Sequence, residues 1–140
     1  MAELSIQYHT ECDFSFTVAN KRTAWLLEIA KKEGRNLELI NYIFCDDEYL
    51  HKINLEFLSH DNYTDIITFD YGLGVDLVSD IFVSVERVQE NANEFKTSFE
   101  DELDRVLAHG LLHLCGYKDK SPEDQALMRE KENYYLSLRA

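Results

Sequence analysis

A chain of 140 residues with 14 lysines and arginines against 27 aspartates and glutamates carries a formal net charge of −13. That balance disfavours any function resting on a broadly positive surface, as non-specific nucleic-acid binding does. A hydrophobic fraction of 45% with five glycines and a single proline excludes a disordered or collagen-like chain and predicts one folded domain spanning residues 1–140.

The segment Met1–Phe14 has neither the basic start nor the apolar run of a secretory signal. No later stretch approaches the roughly 20 apolar residues of a membrane span. The expectation is a soluble, cytoplasmic protein. Residues 4–9 read as a first strand and 13–18 as a second extended piece. Asn20 offers a helix cap, and Trp25, Leu26, Ile29 and Ala30 give that helix an apolar face ending at Gly34. From Leu37 to Cys45 both alternations are apolar, which predicts a central strand covered on both faces. Asp46 and Asp47 can cap a short helix through about Phe57. Ile66–Asp70 and 78–84 read as strands of a hairpin turning at Gly72 and Gly74. Ser84 then caps a helix with the stripe Val88, Ala92 and Phe95.

Ser98 and Asp101 open the next helix, whose apolar positions Phe99, Leu103, Val106, Leu107, Gly110, Leu111 and Leu114 keep helical spacing throughout. Gly110 interrupts the stripe at a cost of about 1 kcal/mol against alanine, which predicts a close neighbour. Ser121-Pro122-Glu123-Asp124 opens a last helix, docked by Leu127, Met128, Tyr135 and Leu138. The predicted fold is α+β: a mixed four-stranded sheet packed with helices. Cys12, Cys45 and Cys115 are odd in number and far apart, which argues against a disulfide framework or a four-thiolate site. They read as small buried hydrophobes, Cys115 pointing away from its histidine neighbours.

Chemistry concentrates in His109-Gly-Leu-Leu-His113-Leu-Cys-Gly116-Tyr-Lys-Asp119. Residues four apart share one face of a helix, so both imidazoles can reach one ion. Gly116 is placed to end the helix in a left-handed cap that folds Asp119 back toward them. Two nitrogens and one oxygen leave a fourth position open, which separates catalytic from structural zinc. The spacing is that of a zincin-like metal helix, but Gly110 stands where a metalloprotease needs its glutamate base. The metal is kept and peptide hydrolysis is not.

The segment from His109 to Tyr117 resembles the signature of the YbeY family, bacterial metal-dependent endoribonucleases that mature ribosomal RNA. The resemblance extends to Asn54, Phe57 and Asp61, to Thr64-Asp65-Ile66-Ile67-Thr68-Phe69, and to Ser79-Asp80-Ile81-Phe82-Val83-Ser84. It continues through Glu123, Met128 and Glu132 in the last helix. It implies a zinc-dependent endoribonuclease that hydrolyses phosphodiester bonds in single-stranded RNA, acting in small-subunit rRNA 3′-end maturation and ribosome biogenesis. One Zn2+ per chain would be held by His109, His113 and Asp119. RNA would be the substrate, and the ribosome or ribosomal proteins would be partners. No side chain stands out as the general base, so the reacting water is expected on the metal.

This chain departs from the family pattern at two positions. Asp119 stands where the family usually has a third histidine; the added negative charge is expected to make a bound water less acidic. Leu58 stands where the family has an arginine held to support phosphate or developing charge. The cations expected near the cleft are Lys52, His60, Arg87, Arg105, Lys118 and Lys120. Asp80 reads equally as a solvent-facing strand acid or a cleft residue, and Thr64 and Asp65 as a turn and a strand start. His9 and His51 read as non-ligands. The rival readings are a ribosome assembly factor with a structural metal, which Leu58 and Gly110 favour, and a small-molecule hydrolase, which the acidic surface favours.

Overall fold

A computed structural model describes residues 5–17, 19–58 and 64–139. The elements run β1 (Ile6–Thr10), α1 (Ala19–Lys32), β2 (Asn36–Cys45), α2 (Asp47–Leu58), β3 (Ile66–Asp70), β4 (Asp76–Ser84), α3 (Val85–Glu94), α4 (Phe99–Leu114) and α5 (Pro122–Ser137). The sheet has the order β1-β2-β4-β3. β1, β2 and β4 are parallel, and β3 pairs antiparallel with β4 as the first arm of a hairpin. This is the expected α+β fold with a mixed four-stranded sheet.

One sheet face is closed. Ile40, Tyr42 and Phe44 of β2 are fully buried and share a core with Leu26 and Ile29 of α1 and with Leu103, Leu107 and Leu111 of α4. Each such side chain contributes about 1.5–3 kcal/mol of transfer free energy. The Tyr42 hydroxyl donates to the Leu107 carbonyl at 3.0 Å, tying α4 to the sheet centre.

The other face is not covered as the sequence predicts. Cys45 packs with Leu50 of α2 and with Ile67, but Asn41 and Ile43 are only half-buried. There the strands carry a polar ladder. His9 Nε2 donates to Asn41 Oδ1 at 3.1 Å, Asn41 Nδ2 to Asp80 Oδ1 at 3.1 Å, and the Tyr71 hydroxyl to Asp80 Oδ2 at 3.2 Å. Asp80 alternates with buried Ile81, so it faces away from α4 and is no cleft residue.

Four further expectations are corrected. Residues 14–17 form no strand; Phe14 and Phe16 instead lay their rings on Phe44, with centroids 5.3 and 4.8 Å away. Alternating aromatics look the same in sequence whether they pair or merely pack. α1 begins at Ala19, so Asn20 lies inside its first turn. Finally, Phe95 is the C-cap of α3 and lies off the buried stripe of Val88 and Ala92. On α5 the buried stripe is Met128, Glu132 and Tyr135, which leaves Leu127 and Leu138 exposed.

Gly110 explains how α4 fits. A Cβ there would stand 2.8 Å from Ile66 Cδ1 and 3.4 Å from Ile81 Cγ2. The start of β3 therefore rests on bare helix backbone, beside the histidines.

Candidate metal centre

Ser98 caps α4, its hydroxyl accepting from the Asp101 amide at 3.1 Å. Four turns later the helix ends in a Schellman turn. The Tyr117 amide donates to the Leu112 carbonyl at 3.1 Å and the Gly116 amide to the His113 carbonyl at 3.0 Å. Gly116 has a φ of 106°, a conformation that a Cβ would oppose. The chain reverses and brings Asp119 over the histidines, as its spacing predicts. The Gln125 side chain donates to the Asp119 carbonyl at 3.1 Å and steadies the bend.

The ligand-capable atoms of His109, His113 and Asp119 all lie within 4.8 Å of one another. Asp119 Oδ2 is 3.3 Å from His109 Nε2 and 3.2 Å from His113 Nε2. Two donors on a tetrahedral zinc with bonds of about 2.0–2.1 Å stand about 3.3 Å apart, so the donor set fits a shared ion.

Each ring is held from behind. His109 Nδ1 donates to Glu132 Oε2 at 2.7 Å, and His113 Nδ1 donates to the Tyr117 carbonyl at 2.9 Å. Both tautomers therefore present Nε2 to Asp119, the arrangement that orients metal-binding histidines. Arg105 Nη1 donates to Glu132 Oε1 at 2.9 Å. Burial opposes ionisation of Glu132, but the bonds from His109 and Arg105 outweigh it and hold the carboxyl below its ordinary range. Burial likewise opposes charge on His109, and Glu132, Asp65 and Asp119 together reverse it and raise the ring's pKa.

His109, Asp119, Glu132 and Arg105 border a cavity of about 680 Å3 that also takes in Asp65, Asn91 and Glu102. Burial raises the Asp65 carboxyl, with His109 acting against it. Asn91 Nδ2 donates to Asp65 Oδ2 at 3.3 Å. Burial also raises Glu102, opposed first by Arg105.

Of the expected cations, Arg105 alone among the described residues lines this cavity. Arg87 pairs with Asp47 at 2.6 Å. Lys52, Lys118 and Lys120 are exposed elsewhere, Leu58 is an exposed residue at the end of α2, and His60 and Asp61 lie outside the described residues. His51 is half-buried on α2 and is not in the metal cluster. The thiols stand apart: burial pushes Cys45 up to about 12 and Cys115 to about 11, far from thiolate chemistry.

Glu132, Asp65 and Glu102 have site positions that sequence reasoning did not assign. Glu132 carried a signal, since it interrupts the apolar stripe of Met128 and Tyr135, where a charge needs a partner. Asp65 carried none beyond the resemblance.

The family profile described as Endoribonuclease YbeY matches residues 5–139. The chain belongs to the YbeY family. Relatives named Endoribonuclease YbeY include one from Flavobacterium johnsoniae, 56% identical over 133 residues, covering 95% of this chain and 96% of the relative. Another, from Christiangramia forsetii, is 51% identical over 138 residues, covering 99% and 96%. The solution structure of TM1509 from Thermotoga maritima matches with a TM-score of 0.66 at 32% identity, covering 94% of this chain and 87% of that one. The YbeY resemblance read from the sequence is thus borne out over nearly the whole chain.

Proposed function

We propose that this chain is a zinc-dependent endoribonuclease, cutting single-stranded RNA internally during ribosomal RNA maturation, with residues 1–140 acting as one catalytic domain. The setting is cytoplasmic, with RNA as substrate and the ribosome or its proteins as partners. The names of the relatives support the reaction class. Among the described residues no helix is long and apolar enough to cross a membrane.

The observation that carries the reading is the three-donor cluster, two of whose members, His109 and Asp119, line an open cavity. Three protein ligands suit a catalytic ion, whereas a structural zinc takes four. His109 Nε2, His113 Nε2 and an Asp119 oxygen would hold it. Bound zinc supplies Lewis acidity to a phosphoryl oxygen and lowers the pKa of water. The chain's own groups do the remaining work. Glu132 and the Tyr117 carbonyl fix the two rings and their tautomers. Arg105 brings positive charge to the cavity. Asp65, raised by burial, takes the proton from the attacking oxygen. It stands at the start of the strand packed on Gly110, where the helix itself offers no base.

Metal analysis of the purified protein, combined with cleavage of a single-stranded oligoribonucleotide with and without chelator, tests this. One ion per chain is expected, with cleavage lost to chelator and restored by zinc. Cleavage that persists in chelator would overturn the scheme. A fully protein-ligated ion without cleavage would instead favour a ribosome assembly factor.

A further inference from the structure

The cavity does not end at the metal cluster. It shares Phe95, Glu102, Arg105 and Arg129 with a second cavity of about 440 Å3 that runs between α4 and α5 toward Asn133. Two residues in the shared stretch are placed as no purely structural role requires. Phe95 is 58% exposed, an aromatic ring left at the rim. Glu102 is 6% exposed and opens onto both cavities. Among the described residues no donor reaches its carboxylate within hydrogen-bond distance; Arg105 acts on it through charge alone. Its carboxylate meets cavity solvent rather than a protein donor, so an incoming N–H can take the place of water there.

Resting on the endoribonuclease reading above, we propose that this stretch is a subsite for an unpaired guanine beside the reacting phosphate. The base stacks on Phe95 and its Watson–Crick edge donates to Glu102, while Arg129 faces the backbone. The chemistry selects guanine. An ionised carboxylate only accepts and offers two oxygens. Guanine alone among the standard bases presents two adjacent N–H donors on that edge. Adenine and cytosine set one amino group beside a ring-nitrogen lone pair, and uracil sets one N–H between two carbonyls. Stacking on an exposed ring requires a base free of its helix, which matches a single-stranded substrate. Arg129 lies 3.9 Å from Glu132 at one nitrogen and keeps its side chain 57% exposed, which leaves its other donors able to meet a phosphate.

The test is binding of the full-length protein, in chelator so that nothing is cut, to labelled oligouridylates carrying one guanosine moved through each position. Inosine at the same positions removes only the 2-amino donor. At one position wild type should prefer guanosine over inosine and uridine by about tenfold. Phe95→Ala should weaken binding about tenfold, and Glu102→Gln should abolish the preference while keeping the stacking contribution. Circular dichroism confirms that both variants fold. Equal binding of all oligomers by wild type, an unchanged preference in Glu102→Gln, or unchanged affinity in Phe95→Ala overturns the subsite. If wild type still cuts RNA with zinc, the nuclease reading survives that result. If wild type neither binds nor cuts RNA, both fall.

Discussion

Helix α4 carries a charge network at each end, and the two are built differently. Near its start, Arg22 donates to Asp104 at 2.7 Å, to the Thr17 carbonyl at 2.7 Å, and to Glu100. Arg139 closes the same cluster on Asp104 at 2.8 Å and Asp101 at 3.0 Å. Near its end, His109 and His113 each engage one nitrogen with a protein acceptor and turn the other toward Asp119. The first network also borders a cavity, of about 890 Å3, but its opposite charges satisfy one another. The second brings two ring nitrogens and a carboxylate oxygen to within 4.8 Å of one another. Buried charge beside a cavity therefore does not mark a metal site; ligand atoms oriented to converge on one point do.

The sharpest way to break this contrast is His113→Ala, which removes one of three donors. Metal content should fall to background and RNA cleavage by at least about 1000-fold. Elemental analysis and a cleavage assay decide it, and full cleavage without metal would end the comparison. Arg22→Ala attacks the internally paired network and leaves buried Asp104 with Arg139 as its remaining cation. Its cost should be about 1–3 kcal/mol in urea unfolding, with zinc stoichiometry of the folded fraction unchanged. A loss of metal there would mean that the two ends are coupled.

Glu132→Gln keeps shape but removes the charge behind His109. Zinc affinity should drop about 10–100-fold in chelator competition, a smaller effect than losing a ligand. Gly110→Ala forces a methyl toward Ile66 and should cost about 1–3 kcal/mol, with zinc still bound.

The smallest effect concerns Glu102. Burial raises its carboxyl in the folded protein, so folding favours the protonated form. That contribution is present in acid, below the unfolded carboxyl range, and is lost as pH rises through the folded value. Glu102→Gln should therefore raise Tm by about 1–3 °C at pH 8 and do little at pH 4. An equal shift at both pH values would show that charge is not the cause.

The grouping of the three donors was legible because His109, His113, Gly116 and Asp119 lie within one helix and its terminal turn, where local geometry fixes their relation. Its supports were harder to read. Glu132 reaches His109 from 23 residues away, and only the interruption of an apolar stripe hinted at burial. Asp65 gains its environment from the docking of β3 on Gly110, a tertiary event that its neighbours in sequence do not encode. The sheet was legible on its closed face, where apolar alternation and burial agree. On the other face Ile43 looks as buried as Tyr42 in sequence, but α2 covers only the end of β2 near Cys45. How far a covering helix reaches depends on where it docks, which no strand pattern records.

The contact between Gly110 and Ile66 ties the helix residue to the seating of the hairpin arm. Gly110→Glu would place a side chain where the tip of Ile66 lies, 2.8 Å from the position of a Cβ, and that tip would have to swing aside. A strand resting directly on helix backbone thus makes the identity of one helix residue a condition on how the neighbouring Asp65 is held.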